Sequence, residues 1–139
     1  MPAEGLSLDS VALLRSIFDR EDWELLFDHL AEDVVFEVTI SDGTPISGQF
    51  RGKRAVVEHF KNLGNIAEFR QEQPLEYFGQ GDRVVVLGKE SFEVKRSGTT
   101  IRGSHYAEIV DLRDGLITRF LIIQDLSAFV EAYQTPDPP

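Results

Sequence analysis

Apolar residues recur along this chain with two periods, and the changes of period mark its elements. Val11, Leu14, Ile17 and Phe18 fall at helical spacing behind Asp9 and Ser10, either of which can cap a first helix, after a short loose lead over Met1–Ser7. Asp22 caps a second helix with Trp23, Leu26, Phe27 and Leu30 as its stripe, and Trp23, which opens that stripe, is assigned to the core. From Val34 to Ile40 the period drops to two, with Val34, Phe36, Val38 and Ile40 on one side of a strand and Glu37 and Thr39 on the other. Ser41–Gly48 reads as a loop containing Asp42-Gly43 and Pro45, followed by a short extended piece to Phe50. Val56, Phe60 and Leu63 form the inward side of a third helix over Lys53–Leu63, stopped by Gly64-Asn65. A strand follows from about Arg70 to Phe78.

The last third of the chain is three long β-type runs, Arg83–Arg96, Thr99–Arg113 and Leu116–Asp125, separated by Ser97-Gly98 and Arg113-Asp114-Gly115. Parallel pairing would need crossovers of a dozen or more residues, so the runs predict an antiparallel meander with Asp114-Gly115 as a hairpin turn. Leu126, Phe129, Val130 and Tyr133 then give a last helix for which Asp125 is the N-cap, and the proline-rich Thr135–Pro139 cannot continue it. Helices early and a long antiparallel sheet late give an α+β class. A strongly curved, mostly antiparallel sheet wrapped around the N-terminal helices makes a cone with an internal apolar pocket, and such pockets take small molecules. Both faces of the last two runs are largely apolar, so the outer face predicts a two-fold homodimer through the sheet.

Composition narrows the function classes. The 139 residues make one domain, with a core from about residue 9 to 134. A formal net charge of −10 leaves no basic stripe for phosphates, which argues against nucleic acid and against anionic membrane surfaces. The absence of cysteine removes disulfides, thiolate nucleophiles and Cys-ligated metals. The chain starts without a secretory pattern and holds no apolar run of roughly 18 residues, so a cytoplasmic location is expected. His29, His59 and His105 match no zinc spacing, and no Gly-rich phosphate loop is present; no cofactor or metal is expected.

Several strings, in order, resemble the superfamily of cone-shaped α+β barrels that includes ketosteroid isomerase and the SnoaL-like polyketide cyclases, the nuclear transport factor 2-like fold. They are Arg20-Glu21-Asp22-Trp23 through Leu30-Ala31-Glu32-Asp33-Val34-Val35-Phe36, then Phe50-Arg51-Gly52-Lys53-Arg54-Ala55-Val56, then Gly81-Asp82-Arg83-Val84-Val85-Val86-Leu87-Gly88, and Leu112-Arg113-Asp114-Gly115-Leu116-Ile117. The resemblance spans roughly Ser10 to Tyr133. It implies a pocket whose chemistry varies, since this fold hosts isomerases, cyclases and non-catalytic binders.

Strand parity sorts the candidates. On Thr99–Arg113 one face carries Arg102, Ser104, Tyr106, Glu108, Val110 and Leu112, and the other Ile101, Gly103, His105, Ala107, Ile109 and Asp111. The resemblance puts the Tyr106/Glu108 face inside. On the last strand Thr118, Phe120, Ile122 and Gln124 are then inside, with Arg119, Leu121 and Ile123 outside. Glu108 in an apolar cavity should have a raised pKa and act as proton or hydrogen-bond donor. It stands near the oxyanion-donating acid of ketosteroid isomerase, an established case of a carboxylic acid kept neutral by its site. The alternative is pairing with Arg102 or an interface group. Asp42 lies in the loop that carries the general base in that enzyme; the alternative is an ordinary Asp-Gly turn. Two positions depart from the family. Leu14 stands where ketosteroid isomerase has its helix-one tyrosine, and Ile122 where a SnoaL-like cyclase has its acid/base carboxylate. Tyr106, Glu90, Phe120, Ile122, Gln124, Leu14, Phe36 and His59 complete the expected pocket, with Glu90 also readable as an ordinary charged strand position. The expectation is a cofactor-independent isomerase or cyclase acting through Glu108 and Asp42 on an apolar carbonyl compound. The alternatives are a non-catalytic binder of an apolar ligand and a dimerisation module.

Overall fold

The computed structural model describes residues 3–39 and 43–134, the side chains of 3–9 excepted. The elements run α1 (Ala3–Phe18), α2 (Trp23–Asp28), β1 (Leu30–Val38), β2 (Gln49–Arg51), α3 (Lys53–Ile66), β3 (Ala67–Gln71), β4 (Glu76–Gln80), β5 (Arg83–Val94), β6 (Thr99–Arg113), β7 (Leu116–Gln124) and α4 (Ser127–Gln134). The strands form one mixed sheet in the order β2-β1-β7-β6-β5-β3, with β4 also on β5. Only the β1–β7 pair is parallel among them.

The meander is as expected. Asp114 and Gly115 both have positive φ, 54° and 78°, as a tight two-residue hairpin requires. Asp22 caps α2 by accepting the Leu25 N–H at 3.1 Å. Asp125 accepts both the N–H and the hydroxyl of Ser127 at the start of α4.

Four boundaries differ from those the sequence predicts; tertiary contacts account for two and a proline for a third. The first helix starts at Ala3 rather than at Asp9. Leu30 leaves the α2 stripe and opens β1, because it pairs with Ile117 of β7. α3 runs through Gly64 to Ile66, since the Lys95 N–H bonds the Ile66 carbonyl and the Lys95 ammonium bonds that of Gly64. The single strand expected over Arg70–Phe78 is two, broken around Pro74, which has no N–H to donate. β3 pairs with the second half of β5 and β4 with the first, so one edge of β5 is used twice.

Two bulges bend the central strands and shift side-chain parity. Opposite Ser91, β6 carries two residues, Arg102 and Gly103, with Gly103 at φ 63°. Ile101 therefore joins the concave face and Arg102 turns out to solvent, the reverse of the expected parity. Between Asp111 and Leu112 of β6 the register with β7 slips by one, so Ile117 is fully buried and Thr118 is not inside; its hydroxyl bonds the Asp111 carbonyl.

The concave face holds the core. Val34, Val84, Val86, Val110 and Phe120 meet Leu14, Ile17, Leu26, Val56 and Phe129 from the helices, all at 1% exposure or less. Burying each such side chain is worth about 1.5–3 kcal/mol, so this face fixes the register. α1 packs on β4 and β5, α3 on β1 and β3, and α4 on β5 and β6. On the convex face Leu87, Ala107 and Ile123 align across three strands, with Leu87 and Ile123 exposed. No described helix is long and apolar enough to cross a membrane.

Candidate functional site

Beyond the packed part of the concave face, successive ladder rungs carry polar residues. Val86, Glu108 and Ile122 share one rung; Gly88, Tyr106 and Gln124 the next; Gln71, Glu90 and Ser104 the one after. A Cβ built on Gly88 would collide with the ring of Tyr106, so only glycine there lets the tyrosine lie across β5. Its hydroxyl donates to Gln71 Oε1, and Gln71 Nε2 donates to Glu90 Oε2 at 2.7 Å. From the other side Gln124 Nε2 donates to Glu90 Oε1 at 3.0 Å and to Ser104 Oγ at 2.9 Å. The donors converge on Glu90, as on an ionised carboxylate. Burial raises its pKa, and the amides of Gln124 and Gln71 pull it back down.

Glu108 has no such support. The residue keeps some surface toward the cavity, but its Oε2 is sealed from water and has no hydrogen-bond partner. Burial, and secondarily the Glu90 charge, push its pKa up to about 8, so it is a neutral acid at pH 7. His59 on α3 is 4% exposed, with ring centroids 4.1 Å from Phe50 and 4.5 Å from Phe36. Neither of its ring nitrogens has a partner, and burial pushes its pKa down to about 4. An unsatisfied buried polar group costs about 1–3 kcal/mol. The three such side-chain atoms among the described residues, two on His59 and one on Glu108, belong to residues lining one cavity.

That cavity holds about 590 Å³. Phe36, Phe60, Phe69 and Phe129 supply aromatic wall, and Tyr106, Gln71, Gln124, Glu90 and Glu108 the polar end. Exposed lining residues mark the mouth: Trp23, Glu21, Glu24, Lys61, Glu68 and Lys95. A more open groove lies on the other side of Tyr106 and Gln124, reaching Glu72, Leu87, His105 and Ile123.

Of the residues expected in the pocket, Glu108, Tyr106, Glu90, Ile122, Gln124, Phe36 and His59 line the cavity together. Leu14 and Phe120 do not: both are completely buried in the core, packed behind the cavity rather than facing it. Asp42 lies outside the described residues. Arg102 cannot pair with Glu108, because the Gly103 bulge turns it outward. Trp23 is not core; it is 41% exposed and stacks on Phe60 at 6.1 Å. Gln71 is a site residue that sequence reasoning missed; its signal was its place two residues after Phe69 on one strand face. Among the described residues, no group of three or more His, Asp or Glu is placed to hold a metal.

Solved structures share this architecture. An NTF2-like protein from Burkholderia xenovorans LB400 superposes with a TM-score of 0.79 at 22% identity, covering 94% of this chain and 97% of that one. TerC, co-crystallized with polyporic acid, gives 0.73 at 24% identity over 94% and 99% of the two chains. A candidate polyketide cyclase from Xanthomonas campestris pv. campestris gives 0.72 at 17% identity over 96% and 100%. No curated protein matches the chain in sequence. The model of the SnoaL-like domain matches residues 11–120, most of the chain and both strands that carry Glu90 and Glu108. On that match, and with the fold agreeing, the chain belongs to the SnoaL-like family.

Proposed function

We propose that the cavity binds a largely apolar molecule bearing a carbonyl or phenolic oxygen and promotes proton transfer on it, with Glu108 as the donor to that oxygen. The observation that carries this reading is the carboxyl group of Glu108, which keeps some surface in an aromatic-walled cavity while its sealed Oε2 has no partner. A neutral carboxylic acid without an acceptor gives a hydrogen bond to an oxygen on which negative charge develops as a neighbouring carbon loses its proton. Asp42, in the loop after β1, is the proposed base. A relative of this fold is co-crystallized with polyporic acid and another is a candidate polyketide cyclase, which supports a cyclic, oxygenated organic ligand. Leu14 and Ile122, apolar where other members of the superfamily are polar, favour a second reading in which the cavity binds without turnover.

One experiment separates the two. The protein is incubated with a fused-ring enone in D₂O, and deuterium uptake beside the carbonyl is followed by mass spectrometry. Proton transfer predicts accelerated uptake that falls by about 100-fold in Glu108→Gln, the scale of losing an oxyanion donor. Saturable binding with uptake at the rate of buffer alone would leave only the binding reading.

A further inference from the structure

At the polar end of the cavity no cation among the described residues stands against the carboxyl groups of Glu90 and Glu108. Glu90 is 7% exposed, and every side-chain hydrogen bond it makes comes from a neutral amide. None of the ion pairs among the described residues includes Glu90 or Glu108. His59 is uncharged and sits against Phe36 and Phe50. At the mouth, the Lys95 ammonium is bonded to the Gly64 carbonyl, and Lys61 faces solvent beside Glu21, Glu24 and Glu68.

A buried carboxylate without a counter-ion is costly unless a cation arrives to offset it. Each Glu90 oxygen accepts one amide N–H and keeps a lone pair free. The cavity wall includes Phe36, Phe60, Phe69 and Phe129, and aromatic rings favour a cation and do not repel the apolar body attached to it. An acidic mouth on a chain of net charge −10 draws cations toward the opening. We propose that the ligand of this cavity carries a protonated amine, seated against Glu90, on a flat apolar skeleton. This rests on the cavity being a small-molecule site and names the charge class that it selects.

Three probes of matched size test it: 2-(1-naphthyl)ethylamine, 2-(1-naphthyl)ethanol and 1-naphthylacetate, cationic, neutral and anionic at pH 7. Calorimetric titration of the wild-type protein should rank the amine at least about tenfold tighter than the alcohol, with the acetate weakest; a tenfold gap is modest for a desolvated charge pair. Glu90→Gln should bring the amine to within about twofold of the alcohol. Glu24→Gln with Glu68→Gln, at the mouth, should keep the ranking. An alcohol that binds as tightly as the amine to the wild type overturns this inference and leaves the cavity reading standing, as does a preference that survives in Glu90→Gln. Binding of none of the three overturns both.

Discussion

Glu90 and Glu108 stand on paired strands and face one cavity, yet Glu90 receives hydrogen bonds from two amides while Glu108 Oε2 receives none. His59 belongs with Glu108: buried, aromatic on two sides and without a partner. The contrast separates a group that the fold satisfies from two that it leaves without partners. A donor chain that starts at Tyr106 and ends on Glu90 positions strands against one another and is architecture as much as site. An acid and an imidazole left unsatisfied along the same cavity raise the energy of the folded protein, and under the proposed reading a bound molecule would offset part of that cost.

The sharpest way to break this contrast is Gln124→Leu, which leaves the buried Glu90 Oε1 without its donor and Gln71 as the remaining partner of the group. It should cost about 3 kcal/mol in urea unfolding at pH 7, since breaking a buried charged network is expensive. A loss under about 1 kcal/mol would mean that the network contributes little to the fold.

Glu108→Gln tests the unsatisfied side and should act in the opposite direction. The folded pKa of about 8 lies above the ordinary value of 4.5, so between those values the folded state holds a proton that the unfolded chain has lost. Wild-type stability therefore falls as pH rises through that window and levels off above it. The glutamine variant has no such slope. Relative to wild type it should gain on the order of 2–3 kcal/mol between about pH 4 and about pH 9, allowing for water in the cavity. Parallel stability curves for the two proteins would refute the neutral acid.

His59→Phe should give the smallest effect, on the acid side. Burial lowers His59 from 6.5 to about 4, so as pH falls below 6.5 the unfolded chain takes the proton first and the wild type loses stability until about pH 4. Phenylalanine keeps the ring and drops the titration. The variant should be about 2 kcal/mol more stable relative to wild type at about pH 4.5 than at pH 7. Equal differences at both pH values would place His59 in contact with water.

Much of this is readable from residue order. The meander needs only its turns, because Asp114-Gly115 supplies the two positive φ values and sets the first β6–β7 pairs, Arg113 with Leu116 and Leu112 with Ile117. Strand parity, with the inward face taken from the resemblance, places Tyr106, Glu108, Ile122 and Gln124 on one face; a plain count across the turn would pair Glu108 with Leu121, and the slip at Thr118 is what brings Ile122 opposite it. The count fails at Ile101 and Thr118, each beyond a bulge, because one extra residue reverses parity without changing local hydrophobicity. Gly103 is the visible warning inside a strand. Trp23 is misplaced because a helical stripe says which side is apolar but not whether another element covers its end. His59 and Glu108 stand out as candidates in the sequence, but their lack of partners is a property of packing, to which periodicity is blind.

The parallel seam between β1 and β7 has a consequence for synthesis. Thr39 and Gln124, which bond across that seam, are 85 residues apart in the chain. On the ribosome β1 waits, its inner edge open, until the 85 residues that separate the bonded pair have followed. The chamber acquires its last walls, Ile122 and Gln124 of β7 and Phe129 of α4, only after those residues have emerged, so no molecule seated in it can steady the shorter lengths.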